Sequence, residues 1–171
     1  YPDGSFQPFK NVSRAEFLKI ALSASKISVN GPFQPTGFPD VHEKSWYAPF
    51  VQKAKKEGWI TGYVDGTFKP EQAITKVEAL KIIGSIQNWK TSQNIAKAPF
   101  SDTPLLAWYT PYVTYAKNKN FLEEKGPLFE GNTSITRGEV SEILFRTAIT
   151  QEKKVTAFSP QLIEKKISSP L

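Results

Sequence analysis

Arg14, Lys76 and Arg137 are the residues whose type and setting could do chemistry. Each follows a hydroxyl residue and stands two places before a glutamate: Ser13-Arg14-Ala15-Glu16, Thr75-Lys76-Val77-Glu78 and Thr136-Arg137-Gly138-Glu139. A hydroxyl with glutamate three residues on is the capping box that opens a helix. Ser13, Glu16, Thr75, Glu78, Thr136 and Glu139 are therefore read as structural caps. The cations fit less easily, because a positive charge in the first turn faces the positive end of the helix dipole. Unpaired amides at a helix start, with Arg or Lys beside them, suit a carboxylate or a phosphate. A surface cation can equally be solvated or bridged to a neighbouring carboxylate, and the residues alone leave both readings open.

Other chemistry is sparse, and neither catalysis nor a cofactor or metal is expected. The single histidine, His42, falls in a predicted loop. Glu123 and Glu124 are sequence neighbours in a loop, with no reason to flank a scissile bond as glycosidase carboxylates do. No phosphate loop, nucleophile elbow or metal-ligand spacing is present. Cysteine is absent, which removes disulfides, thiolate metal sites and cysteine nucleophiles. A net charge of +6 favours acidic partners. The cations are spread rather than gathered in a basic block, which argues against nucleic acid. No apolar run approaches a membrane span, so no membrane insertion is expected.

The elements that must position the cations come from a repeat. Tyr1-Pro-Asp-Gly-Ser-Phe6-Gln-Pro8 matches Tyr63-Val-Asp-Gly-Thr-Phe68-Lys-Pro70 at an offset of 62 residues, which also carries Arg14 onto Lys76. Phe38-Pro39-Asp40 matches Phe100-Ser101-Asp102, and Trp46-Tyr47 matches Trp108-Tyr109, at the same offset. A one-residue deletion then places Phe129 on Phe68 and Arg137 on Lys76. Each full repeat reads helix, turn, helix. Tyr47, Phe50, Val51 and Ala54, with Tyr109, Tyr112, Val113 and Ala116, mark the face of a first helix at spacing i, i+3, i+4, i+7.

Gly58 is a plausible stop for that helix. Turns are expected at Asp3-Gly4 and Asp65-Gly66, and Asp40 and Asp102 are also read as structural, accepting from local amides. The second helix repeats one stripe: Phe17, Ile20, Ala21, Ala24; Ala79, Ile82, Ile83, Ile86; Val140, Ile143, Leu144, Thr147. Three such stripes bury each other most simply in a pseudo-threefold three-helix-bundle core, all-α, with the first helices as outer lobes. The units are then a partial repeat and linker (1–37), a full repeat and linker (38–99), a third repeat (100–150) and a connector (151–171), the repeats forming one compact domain. Within the connector, Val155, Phe158, Leu162 and Ile163 offer partial ordering. Phe158-Ser159-Pro160 only faintly echoes Phe100-Ser101-Asp102. Tyr1 falls inside a repeat, so any leader is expected upstream.

The order Phe-Pro-Asp-Val, Trp, Gly-Trp-Ile-Thr-Gly-Tyr-Val-Asp-Gly-Thr-Phe-Lys-Pro, Ile-Thr-Lys-Val-Glu resembles the S-layer homology module of bacterial surface proteins. The resemblance is fullest from Phe38 to about Trp89. It implies an extracellular module, associated with the cell wall or S-layer, whose inter-repeat grooves hold an anionic secondary wall polysaccharide, often pyruvylated, and so tether a surface protein. The alternatives are a peptidoglycan-binding tether or assembly with other surface-layer subunits. The family's arginine maps onto Arg14, Lys76 and Arg137, and its aromatic before the first helix onto Trp46 and Trp108. The residues themselves favour lobe core for the two tryptophans, because Tyr47 and Phe50 beside them look buried. Departures are visible: Lys76 gives up bidentate recognition, and Glu123-Glu124 adds negative charge where the second repeat has none.

Overall fold

The computed structural model of the chain describes residues 4–123 and 126–164. Among these residues the chain is all-α, with helices α1 (Arg14–Ala24), α2 (Ala48–Lys56), α3 (Lys76–Ile86), α4 (Thr110–Asn118), α5 (Arg137–Glu152) and α6 (Gln161–Glu164) and no sheet. Asp3 and Glu124 lie outside the described residues.

The long helices begin and end for local reasons. Helices α1, α3 and α5 open on complete capping boxes at Ser13, Thr75 and Thr136. Helices α2 and α4 have no side-chain cap and start instead with Pro49 and Pro111 in the first turn, where the missing amide has no intrahelical partner to lose. Residues in left-handed conformation follow the five long helices: Lys26, Gly58, Asn88, Asn120 and Lys154. The next amide reaches back over the last turn, as in Trp59 N to Ala54 O at 2.9 Å and Trp89 N to Gly84 O at 2.8 Å. This arrangement satisfies carbonyls that a helix end otherwise leaves open.

The centre is a closed ring of three backbone hydrogen bonds. Val12 N donates to Ile135 O at 3.2 Å, Ile135 N to Ile74 O at 3.0 Å, and Ile74 N to Val12 O at 3.1 Å. The three side chains are buried, so apolar bulk surrounds the bonds and keeps water from competing for them. Isolated antiparallel bridges, Asn11 with Thr136, Ser13 with Ala73 and Thr75 with Ser134, flank the ring. It joins the residues immediately before the three capped helices, and so fixes their starts around one axis.

From this centre α1 touches α3 and α5, and packs more extensively against α2, as α3 does against α4. The core is therefore built as much from helix pairs between successive repeats as from the three second helices. The burial pattern reflects this. Phe17, Ala21, Ala79, Ile83, Val140 and Leu144 are buried, but Ala24 is exposed, and Leu18, Leu22 and Leu80 outside the stripe are fully buried. Their burial widens the apolar face beyond one stripe. In that helix Val51, Ala54, Val113 and Ala116 are fully buried.

The connector is docked through Phe158. Its amide donates to Lys119 O at 2.9 Å, Asn120 Nδ2 donates to its carbonyl at 3.1 Å, and the Arg146 guanidinium lies 4.9 Å from its ring. Phe38 and Phe100 pack differently, against Phe68 and Phe129 of the turns. The packing of Phe158 thus does not follow the repeat.

Replacing Ile74 by Ala in the central ring removes a fully buried side chain without touching its backbone bonds. The expected loss is about 3 kcal/mol of unfolding free energy, read as a lower urea midpoint with unchanged slope.

Candidate functional site

The helix starts are not the anion cradles that free amides would make. In each of the three, the cap amide donates to the carboxylate of the capping box (Ser13 to Glu16, Thr75 to Glu78, Thr136 to Glu139), and the glutamate amide donates back to the cap hydroxyl. The two amides between them donate to the adjoining repeat: Arg14 to Gln72 O and Ala15 to Pro70 O, Lys76 to Thr133 O and Val77 to Gly131 O, Arg137 to Lys10 O and Gly138 to Pro8 O. All four amides that a helix start leaves open are taken. Threefold closure is the cause, because it lays the turn of one repeat across the helix start of another.

The cations are accounted for by that same turn. Arg14 is 5% exposed; its Nε donates to Phe68 O at 2.8 Å and an Nη lies 3.4 Å from Glu78 Oε1. Its guanidinium sits 4.5 Å from the Tyr63 ring centre and 4.9 Å from that of Phe68. Arg137 repeats the arrangement on Phe6, with Nε to the carbonyl at 2.9 Å and the ring at 5.3 Å. Lysine has no planar fork to make that pair of contacts. Lys76 instead points its Nζ at Glu139 at 3.5 Å and Glu130 at 3.9 Å.

Trp46 and Trp108 are not lobe core. They are 51% and 56% exposed. Each stands edge-on to the buried-side tyrosine that follows it, Tyr47 or Tyr109, with a lysine of the preceding second helix near its ring: Lys19 at 5.6 Å and Lys81 at 5.9 Å. An indole held this way presents an apolar platform beside a positive charge. Sequence reasoning passed over Lys19 and Lys81; their signal was their matching place in the repeat, five residues after Arg14 and Lys76.

Two inter-repeat grooves are thereby defined. One, of about 170 Å³, brings together Arg14, Tyr63, Glu78, Lys81, Trp59 and Trp108. Tyr63 is its hub: its hydroxyl donates to Glu78 Oε1 at 2.9 Å and accepts from Gln72 at 3.0 Å, and Lys69 lies 4.5 Å from its ring. Burial first, then the hydrogen bond to Glu78, push the Tyr63 hydroxyl up to about 12 against the opposing charge of Arg14. It stays a neutral donor across the ordinary pH range. The second groove is larger, about 490 Å³, and collects Lys76 with the apolar walls Leu80, Leu122 and Phe129. The structure does not gather the five candidate binding residues into one site: Arg14 and Trp108 share a groove, Lys76 lies in the other, Trp46 sits with Lys19, and Arg137 lies against Phe6.

The aspartates divide by reach. Asp65 makes a local turn, accepting from Thr67 N at 3.0 Å and Thr67 Oγ1 at 2.6 Å. Asp40 accepts from Phe68 N at 2.9 Å and Lys69 N at 2.7 Å, and Asp102 likewise from Phe129 and Glu130. The last two pin distant turns, not local ones. Their second donors, Lys69 and Glu130, have left-handed backbone with φ of 57° and 55°, which aims two successive amides at one carboxylate. Burial works to raise the Asp102 carboxyl, but the two amides and Lys76 outweigh it and hold it below the usual carboxylate range. Glu139 is held low in the same way, burial being overcome by the Thr136 amide and Lys76. Among the described residues no cluster of His, Cys, Asp or Glu could hold a metal, and no helix is long and apolar enough to cross a membrane.

This geometry, repeats interlocked at their helix starts with one groove beside Arg14 and another beside Lys76, defines a threefold helical repeat module. Residues 1–18 and 37–80 match the family model of the S-layer homology domain. The chain belongs to the S-layer homology domain family. It is similar to Cell surface glycoprotein 1 of Acetivibrio thermocellus, 37% identical over 48% of this chain and 4% of that protein. The Cellulosome-anchoring protein of the same organism is 31% identical over 63% of this chain and 24% of its own length. Exoglucanase XynX is 30% identical over 84% of this chain and 13% of its own length. The chain thus spans at most about a quarter of these curated relatives. The third repeat lies beyond the family match, yet the capping box at Thr136, the ring bond at Ile135 and the pinning of its turn by Asp102 are those of the second.

The depressed carboxyls set an acid limit. A group held low contributes stability that is fully present above its unfolded value, about 4, and is lost as pH falls through its folded value. The urea midpoint is therefore expected to stay level from pH 7 to 5 and to fall between pH 4 and 2. In Asp102→Asn the pH 7 midpoint is expected to be lower and the acid drop smaller.

Proposed function

We propose that the chain is a noncovalent anchor, which holds a larger surface protein to the cell wall by binding an acidic wall polysaccharide in its inter-repeat grooves. The repeats act as one folded unit in this reading, since each helix start is completed by the turn of another repeat. The observation that carries it is the Arg14 groove, where two cations meet two tryptophans and a tyrosine. A sugar ring offers an apolar face to Trp108. A carboxylate on that sugar, such as a pyruvate ketal, answers Lys81 and the guanidinium donors that Arg14 does not commit to Phe68 and Glu78. Membership of a family that includes a protein named for anchoring, with that protein covering 63% of this chain, supports the same reading. In this reading the chain sits outside the cell, at the wall or surface layer, and any catalysis belongs to other parts of a longer protein.

Calorimetric titration with purified wall polymer tests this. Binding is expected to weaken at least tenfold in Lys81→Glu, a change at a partly exposed position that leaves the melting temperature close to that of the parent. Chemical removal of pyruvate ketals is expected to do the same to the parent protein. Binding that survives both moves the ligand to the bare glycan or to peptidoglycan and rejects the Arg14 groove as a carboxylate site.

A further inference from the structure

The two grooves are built from equivalent positions and have opposite chemistry. Around Arg14 the neighbouring repeat supplies Thr61 and Lys81, with Lys69 against the Tyr63 ring behind them; around Lys76 the corresponding residues are Glu123, Glu142 and Glu130. The Lys76 groove therefore sets Lys76 among four glutamates, Glu139 being the fourth; the lysine is turned toward Glu139 and Glu130, and Glu142 is paired with Arg146 Nε at 2.6 Å, so carboxylates outnumber these cations four to two. No tryptophan lines it. Its walls are Leu80, Leu122 and Phe129, and its rim carries Phe9, 91% exposed, and Leu128, 54% exposed.

An acidic polysaccharide would meet repulsion here and no indole platform. We propose that the Lys76 groove is instead a docking site for a polypeptide segment that alternates cationic and apolar side chains. Charge complementarity names the occupant: ammonium or guanidinium groups answer the excess of carboxylate over Lys76 and Arg146 around the groove, while an aliphatic or aromatic side chain enters between Leu122, Leu128 and Phe129. A cavity near 490 Å³ has room for one or two such side chains. The site is distinct from the wall-binding groove and stands whether or not that groove binds a glycan.

The position of the charge reversal supplies its own test. Glu130 has a left-handed backbone that lysine already tolerates at Lys69, and Glu142 lies where the second repeat has Lys81. Glu130→Lys thus restores a residue the fold accepts elsewhere, and Glu142→Gln, the second change of the double variant, removes a charge while keeping an acceptor for Arg146 Nε, which Glu142 pairs with at 2.6 Å. The probe is a fluorescein-labelled synthetic hexapeptide of alternating lysine and leucine, followed by anisotropy against the purified chain at low salt. Saturable binding is expected, weakened at least tenfold in the double variant, a few-fold in Leu128→Ala, and unchanged in Lys81→Glu. Circular dichroism and melting of each variant separate loss of the site from loss of the fold. A peptide with serine in place of lysine is expected not to bind. Equal binding of that neutral peptide, equal binding by the double variant, no binding by the parent, or displacement of the probe by wall polymer in the Lys81→Glu background would each overturn the assignment.

Discussion

Everything in this fold depends on three backbone hydrogen bonds closing on themselves at Val12, Ile74 and Ile135. A single repeat cannot make this arrangement, because each bond in the ring has its donor in one repeat and its acceptor in another. A chain carrying one unit would expose its apolar β-branched position and leave the two amides after its cap without acceptors. The ring thus explains why the sequence repeats at all: the repeat is the smallest element that can be closed by copies of itself. It also explains why the cations stand at an electrostatically poor position. Closure brings a neighbouring carbonyl, at Phe68 or Phe6, and a neighbouring carboxylate, at Glu78 or Glu139, to the same place. These local acceptors outweigh the small penalty of the helix dipole.

How much of this was legible in the sequence follows from the range of the interactions involved. The capping boxes, the proline starts and the stop at Gly58 depend on residues within four or five positions of one another, and periodicity exposes them directly. The burial of Val51, Ala54 and their partners is legible for the same reason. The filling of the helix-start amides was not, since their acceptors lie 54 residues away or more and exist only after closure. The reach of Asp40 and Asp102 across 27 to 29 residues was hidden likewise. Aspartate before a turn looks like a local cap, and only the left-handed residues at Lys69 and Glu130 show that two distant amides converge on it. Trp46 and Trp108 misled because a bulky aromatic beside a buried tyrosine looks buried itself. In the fold the tyrosine takes the inward direction, and the indole is left edge-on and half out in water.

The relation between the cations and the grooves carries a further physical point. A buried guanidinium fixed by a carbonyl, two rings and a carboxylate is chiefly a structural residue, and removing it takes the cationic partner from Glu78 and leaves Phe68 O without its donor. Mutating Arg14 alone therefore cannot separate binding from stability. Lys81 and Trp108 are better reporters of ligand chemistry: they stand on the same groove, are partly exposed, and hold little of the core. Recognition in such a groove divides naturally into a rigid floor, Arg14 with Tyr63 and Phe68, and an adjustable rim of lysine and indole.

That division makes divergence of the grooves inexpensive. The ring, the caps and the pinned turns are common to the second and third repeats, so the fold does not discriminate between Lys69 and Glu130 or between Lys81 and Glu142. Each of these side chains lies outside the core, and its ion pairs, Lys69 with Asp65, Glu130 with Lys76 and Glu142 with Arg146, are local surface contacts that can change with ligand chemistry. Pseudo-symmetry then preserves shape while charge drifts, and the outcome is one groove with two cations and two indoles and another with four carboxylates and leucine walls. Threefold architecture of this kind fixes how many grooves are made and leaves open what each one holds. The functional content of the chain therefore lies in the few rim positions at which its repeats differ, more than in the motif they share.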